Sequence, residues 1–200
     1  MTNNKIKSRI GSYLLIAVIL ISLTSSFTLL SLNESAAQPT SSDPISITAN
    51  DDFDNYASYG DGSEDNAWII ENYTINAENT HGIWIRNTTD HFIIRNCVVE
   101  NGGDNYYGIN LRNVEHGKIE NNRTENNLHG FYLYESDNNT LKTNLAKNNN
   151  RVGIFIRSSS NNNLLENNRV ENNLQRGFYI GHSVSKNLFK NNRAENNSEG

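Results

Sequence analysis

Glycines recur through the second half of this chain at a nearly constant interval, each opening a Gly-apolar-x-apolar tetrad. The tetrads are Gly82-Ile83-Trp84-Ile85, Gly108-Ile109-Asn110-Leu111, Gly130-Phe131-Tyr132-Leu133, Gly153-Ile154-Phe155-Ile156 and Gly177-Phe178-Tyr179-Ile180. Gly200 stands one interval further on, and the successive spacings are 26, 22, 23, 24 and 23 residues. A fixed period of this length requires a stack of similar units, because one such unit cannot bury a core alone. The second half of each unit repeats as well. Ile119 to Asn127 aligns with Leu165 to Asn173 and Phe189 to Asn197, and Ile94 to Gly102 and Leu141 to Asn149 are looser copies.

Within a unit the apolar residues alternate with polar ones, which is the strand period, in short segments bounded by Asn and Gly. No long window carries the 3.6-residue period of a helix. Short strands joined by tight Asn-rich turns fit a chain that returns to its start once per unit, successive coils pairing in parallel about 4.8 Å apart. The expected fold is therefore all-β: a right-handed, single-stranded parallel β-helix of about five to six coils over residues 81–200. Four inward columns follow: Ile83, Ile109, Phe131, Ile154, Phe178; Ile85, Leu111, Leu133, Ile156, Ile180; Ile94, Ile119, Leu141, Leu165, Phe189; and the smaller Val99, Thr124, Ala146, Val170, Ala194. Between the last two run Cys97, Asn122, Asn144, Asn168 and Asn192, an asparagine ladder whose stacked amides bond from coil to coil. Cys97 begins it as a small buried substitute.

The N-terminal part follows another logic. Lys5, Lys7 and Arg9 precede the apolar run Tyr13–Leu32, and Ser35-Ala36-Ala37 follows it. That is the layout of a secretory signal, and the run is also long enough to span a bilayer. Residues 1–37 are expected to be a cleaved signal peptide or a retained helical membrane anchor. Either way the rest is placed outside the cytoplasm, extracellular or at the cell surface. Residues 38–80 read as a Ser/Thr/Pro linker and an N-terminal capping segment. Within them Asp61-Gly62-Ser63-Glu64-Asp65-Asn66 clusters oxygen ligands of the kind Ca²⁺ takes, without matching an EF-hand loop; a turn is the plainer reading.

Mean hydropathy of −0.66 would fit disorder, but the repeat argues against it. The chain carries −5 overall; Lys5, Lys7 and Arg9 against Glu34 give residues 1–37 a net +2, so the remainder carries −7. An acidic exterior does not favour nucleic acid. With one cysteine, no intrachain disulfide forms.

The units of the form GI-x-L…N-x-I-x-x-N…N resemble the parallel β-helix repeats of the NosD-type family, shared with some carbohydrate-active β-helix proteins. Gly60 to Glu71 followed by Gly82 to Cys97 is similar to the opening of exported archaeal proteins with such repeats. The resemblance covers residues 45–200. It implies the β-helix, and either a polysaccharide lyase, hydrolase or epimerase activity or a periplasmic accessory role toward a copper enzyme. No Met or His cluster in the chain matches copper handling.

Two outward columns carry the functional expectation. The residue between the two apolar ones of each tetrad is Trp84, Asn110, Tyr132, Phe155 or Tyr179; two positions on stand Arg86, Arg112, Tyr134, Arg157 and Gly181. In register these make an exposed aromatic stripe that stacks on sugar rings beside an Arg stripe that binds carboxylates or sulfates bidentately. Trp84, Arg86, Arg112, Tyr132, Phe155, Arg157 and Tyr179 are thus the candidate ligand-binding residues for an extended anionic polysaccharide. Stacking of like neighbours to steady the sheet is the alternative.

Other polar columns read as structure. Arg95, Glu120, Lys142, Glu166 and Lys190 alternate in sign and should help fix register. Glu100, Glu125, Lys147, Glu171 and Glu195 repeat too regularly for catalysis, so no catalytic or metal residue is assigned. His91 and His116 share a column and read as turn residues, with metal ligation beside Asp90 or Glu115 the alternative. Glycosylation sequons fall at Asn33, Asn72, Asn87, Asn122, Asn138 and Asn196, of which Asn122 belongs to the ladder. A further coil or a pairing chain is expected beyond Gly200, since an open coil exposes strand edges and core.

Overall fold

The computed structural model describes residues 40–199, so the expected signal or anchor lies outside the described residues. Among them, no helix is long and apolar enough to cross a membrane. Among the described residues nineteen strands follow one another in threes and build three all-parallel sheets. The first holds β1 (Thr40–Ser42), β4 (Tyr73–Asn76), β7 (Val98–Glu100), β10 (Arg123–Glu125), β13 (Leu145–Lys147), β16 (Arg169–Glu171) and β19 (Arg193–Glu195). The second holds β2 (Ile45–Ile47), β5 (Ile83–Thr88), β8 (Ile109–Val114), β11 (His129–Tyr134), β14 (Val152–Arg157) and β17 (Phe178–Ile180). The third holds β3 (Trp68–Glu71), β6 (Phe92–Arg95), β9 (Gly117–Glu120), β12 (Thr140–Lys142), β15 (Leu164–Glu166) and β18 (Leu188–Lys190). This is the right-handed parallel β-helix that the repeat demanded, wound in the sense parallel crossovers take.

The winding starts earlier than residue 81. β1, β2 and β3, inside the segment read as linker and cap, already pair with β4, β5 and β6. Their sequence lacks the Gly and Asn punctuation of later units, so periodicity alone missed them. Between β2 and β3 a 3-10 helix, Asn50–Asn55, drops Phe53 into the core. Its ring lies parallel to Trp68 at 5.8 Å and tilted against Phe92 at 5.6 Å.

The four inward columns pair in the expected register, Ile83 with Ile109, Phe131, Ile154 and Phe178 in turn. As far as Ile154, Ile156, Leu165 and Val170 they form one continuous core along the axis, whereas in the last described coil Phe178 is only partly buried and Ile180, Phe189 and Ala194 are exposed, since no further described coil covers them. The tetrad glycines are required because coils approach too closely there for a side chain: a Cβ on Gly130 would stand 2.6 Å from the Gly153 carbonyl oxygen.

The Asn-Asn pairs divide two tasks. In Asn121-Asn122, Asn167-Asn168 and Asn191-Asn192 the first residue is exposed with φ between 53° and 56°. Asparagine tolerates this left-handed conformation, and it turns the chain through the corner. The second residue points inward and joins the ladder. Asn122, Asn144 and Asn168 each receive two bonds on Oδ1 or pass two upward, and each Nδ2 also donates to a carbonyl of the preceding strand: Ile94, Ile119 and Leu141. Two further ladders were not anticipated. Asn127, Asn149, Asn173 and Asn197 line the second corner. Asn139, Asn163 and Asn187 line the third, beside Ser136 and Ser160. Cys97 does start the first ladder, donating its backbone N–H to Asn122 Oδ1 at 2.9 Å, and burial pushes its thiol up to about 11.

The sign-alternating column on the third sheet is in register, and Glu166 sits between Lys142 and Lys190 at 3.1 and 2.6 Å. Arg95 pairs instead with Glu71 of the preceding coil, at 2.7 Å.

Candidate functional site

The outward residues of the second sheet lie in the expected columns. Trp84 is opposite Asn110, then follow Tyr132, Phe155 and Tyr179; Arg86 is opposite Arg112, then follow Tyr134 and Arg157. The strands bring side chains to one face because alternate residues point the same way and parallel pairing is in register.

The face is less open than a bare stripe. Trp84, Tyr132 and Tyr179 are half-buried, and Phe155 is only 9 % exposed. Phe155 is covered because Tyr179 stacks on it at 4.7 Å while His129 and Tyr132 meet it edge-on at 5.2 and 5.3 Å. It therefore supports the surface more than it offers a ring of its own, a correction to its place among exposed residues.

The residues that precede the tetrad glycines add a second aromatic row that was overlooked. His81 stacks on Tyr107 at 4.7 Å, Tyr107 on Tyr132 at 4.7 Å, and His129 on Tyr132 at 6.0 Å. The same repeat spacing that placed the glycines would have found them: His81-Gly82, Tyr107-Gly108, His129-Gly130. Both imidazoles are held by the next coil. The Tyr107 N–H donates to His81 Nδ1 at 3.0 Å, and the Val152 N–H to His129 Nδ1 at 3.2 Å. Nδ1 being an acceptor, the neutral ring keeps its proton on Nε2. Burial lowers the pKa of His81, and burial with the nearby Arg151 charge lowers that of His129 to about 4.

The arginines lie over rings: Arg86 over Trp84 at 4.6 Å, Arg112 over Tyr134 at 4.9 Å, Arg157 over Phe155 at 5.7 Å. None of the three makes an ion pair among the described residues, whereas Arg95, Arg123, Arg169, Arg176 and Arg193 on other faces and corners all do. Arg86 Nε is buried without a partner. A polar hollow of about 450 Å³ opens between Arg86, Asn87, Arg112, Asn113 and Glu135. Like charges directly opposite on paired strands destabilise a sheet, and a broken local rule of that kind is most often kept for function.

Elsewhere the polar clusters close on themselves. His91 and His116 stack face to face at 4.5 Å, and His116 Nδ1 lies 3.1 Å from the Thr89 carbonyl. Asp90 receives Trp68 Nε1 and Asn50 Nδ2, tying the 3-10 segment to the next coil. Asp61 receives the Ser63 N–H within its turn. No group of three or more His, Cys, Asp or Glu is gathered as for a metal among the described residues.

No curated protein and no solved structure matches the chain. Residues 45–200 match the family model described as right handed beta helix region, and the chain belongs to that family.

Proposed function

We propose that the chain is an exported scaffold that binds an extended, acidic polysaccharide along the outer face of its second sheet, without chemistry of its own. The reading is carried by one observation: aromatic and arginine columns stand side by side on β5, β8, β11, β14 and β17, with no acidic residue at the outward positions of those five strands. Rings supply sugar stacking, while unpaired guanidiniums supply bidentate anion binding. Against a chain of net −5, a local positive strip also steers polyanions to one face. Export and display rest on residues 1–37, and NosD-type membership on the repeat units.

The test is retention of the protein on immobilised acidic and neutral polysaccharides, with thermal unfolding measured in parallel. Replacing Trp84, Tyr132 and Tyr179 together by Ala is expected to abolish retention while the cooperative transition persists. Undiminished retention by a folded triple variant sinks the proposal. New reducing or unsaturated ends on a retained polymer would replace it with a carbohydrate-active enzyme.

A further inference from the structure

We infer that the hollow above Asn110 receives the acetamido group of an N-acetylated sugar; this rests on the polysaccharide reading and narrows it. The outward column is aromatic in β5, β11, β14 and β17, but in β8 it holds Asn110. The missing ring leaves a hollow of about 390 Å³, within the range of small-ligand sites. Trp84 and Tyr132 flank it, two strands apart, while His81 and Tyr107 line it on the glycine side. Arg112 and Tyr134 line it on the other.

Asn110 itself is 4 % exposed, and its Oδ1 is buried with no hydrogen-bond partner. Trp84 Nε1 is in the same state. Two orphaned groups on residues that line one hollow, an acceptor and a donor, are a cost that folding leaves uncompensated. A bound group that relieves both must donate one hydrogen bond, accept another, and lay apolar surface on the rings.

Common sugar substituents divide cleanly on this demand. A carboxylate only accepts, and leaves Asn110 Oδ1 facing a negative charge. An ammonium only donates, and sits beside Arg112. A hydroxyl does both but gives the rings nothing to cover. An acetamido group meets all three needs: its N–H reaches Asn110 Oδ1, its carbonyl takes the Trp84 indole N–H, and its methyl packs on the aromatic walls. Arg86 and Arg112, alongside, take an acidic group of the same or the next sugar, so the polymer expected is both N-acetylated and acidic.

Three polymers separate the terms when offered to the purified 200-residue chain: hyaluronan fragments, the same fragments de-N-acetylated, and polygalacturonate, which is acidic without amide or amine. Hyaluronan is expected to bind about tenfold tighter than either other polymer. Asn110→Ala and Trp84→Phe, which keeps a ring but removes the N–H, are expected to erase that preference. Because Asn110 makes no bond that folding needs, Asn110→Ala should leave Tm unchanged or raise it. Equal affinity for hyaluronan and polygalacturonate, or a preference that survives Asn110→Ala, overturns the acetamido site and leaves the polysaccharide reading standing. Failure to bind any of the three overturns both.

Discussion

Asn144 Oδ1 accepts two hydrogen bonds from Asn122, from its backbone N–H at 3.0 Å and from Nδ2 at 3.2 Å. Its own Nδ2 donates to the Ile119 carbonyl at 2.8 Å and to Asn168 Oδ1 at 3.0 Å. Asn144→Ala therefore orphans a buried N–H below and a buried carbonyl beside it, at about 1–3 kcal/mol each. Urea unfolding should show a loss of about 2–4 kcal/mol. Asn144→Asp, which keeps the acceptor but loses the donor and buries a charge against two oxygens, should lose at least as much at pH 7. The neighbouring Leu145→Ala, on the outer face, should cost well under either.

Thr143 occupies the corner position that Asn121 and Asn167 hold in adjacent coils, and like them it has φ of 56°. A β-branched residue is strained there where asparagine is not. Thr143→Asn should raise stability by about 1 kcal/mol, read as a higher denaturation midpoint with an unchanged slope.

His129 gives the fold a pH dependence of definite sign. Its pKa is about 4 in the folded chain, against 6.5 for the unperturbed group. Above pH 6.5 both states hold a neutral ring and nothing changes. As pH falls from 6.5 toward 4 the unfolded chain takes up a proton that the folded chain refuses, so stability drops, and it levels off below about 4. The loss is on the order of 3 kcal/mol. His129→Gln, which still offers an oxygen to the Val152 N–H, should remove this part of the pH profile; stability curves of the two proteins that stay parallel across the window would refute it.

Arg86 and Arg112 face each other across β5 and β8, and neither makes an ion pair among the described residues, although Glu135 lines the hollow between them. Changing both to Gln should weaken hyaluronan binding by about tenfold at low salt and flatten its salt dependence. The same variant should unfold at an equal or higher temperature, since a cross-strand repulsion is removed.

The sheets were legible in the sequence from Gly82 onward because their core columns keep a nearly constant period and the Gly and Asn marks recur with it. The coil at residues 40–71 was not legible, because Phe53 and Trp68 fill its core by a detour that no other unit repeats. One asparagine ladder was read and two were missed: Asn127 and Asn139 look, in one dimension, like ordinary turn residues, and only the inward direction of each tells them from the exposed Asn126 and Asn138. At the site, the strand columns were readable and Phe155 was misjudged, since its burial comes from His129, Tyr132 and Tyr179 in other units. Asn110 stands in the sequence only as the one non-aromatic member of its column, a gap in the stripe. That the gap is lined and holds unpartnered polar atoms is a property of neighbours two strands apart, which no alignment of the chain with itself contains.

Each rung of the asparagine ladders presents to the rung above the same donors and acceptors that it takes from the rung below. Bonding at the corners is thus indifferent to how many rungs there are. A whole unit can be gained or lost by duplication or deletion without leaving an amide unmatched inside the stack, whereas a slip of one residue puts every ladder in that rung out of phase. Length in such a protein is a freely adjustable trait and register is not, so an outward strip of side chains can be lengthened coil by coil while its chemistry is kept.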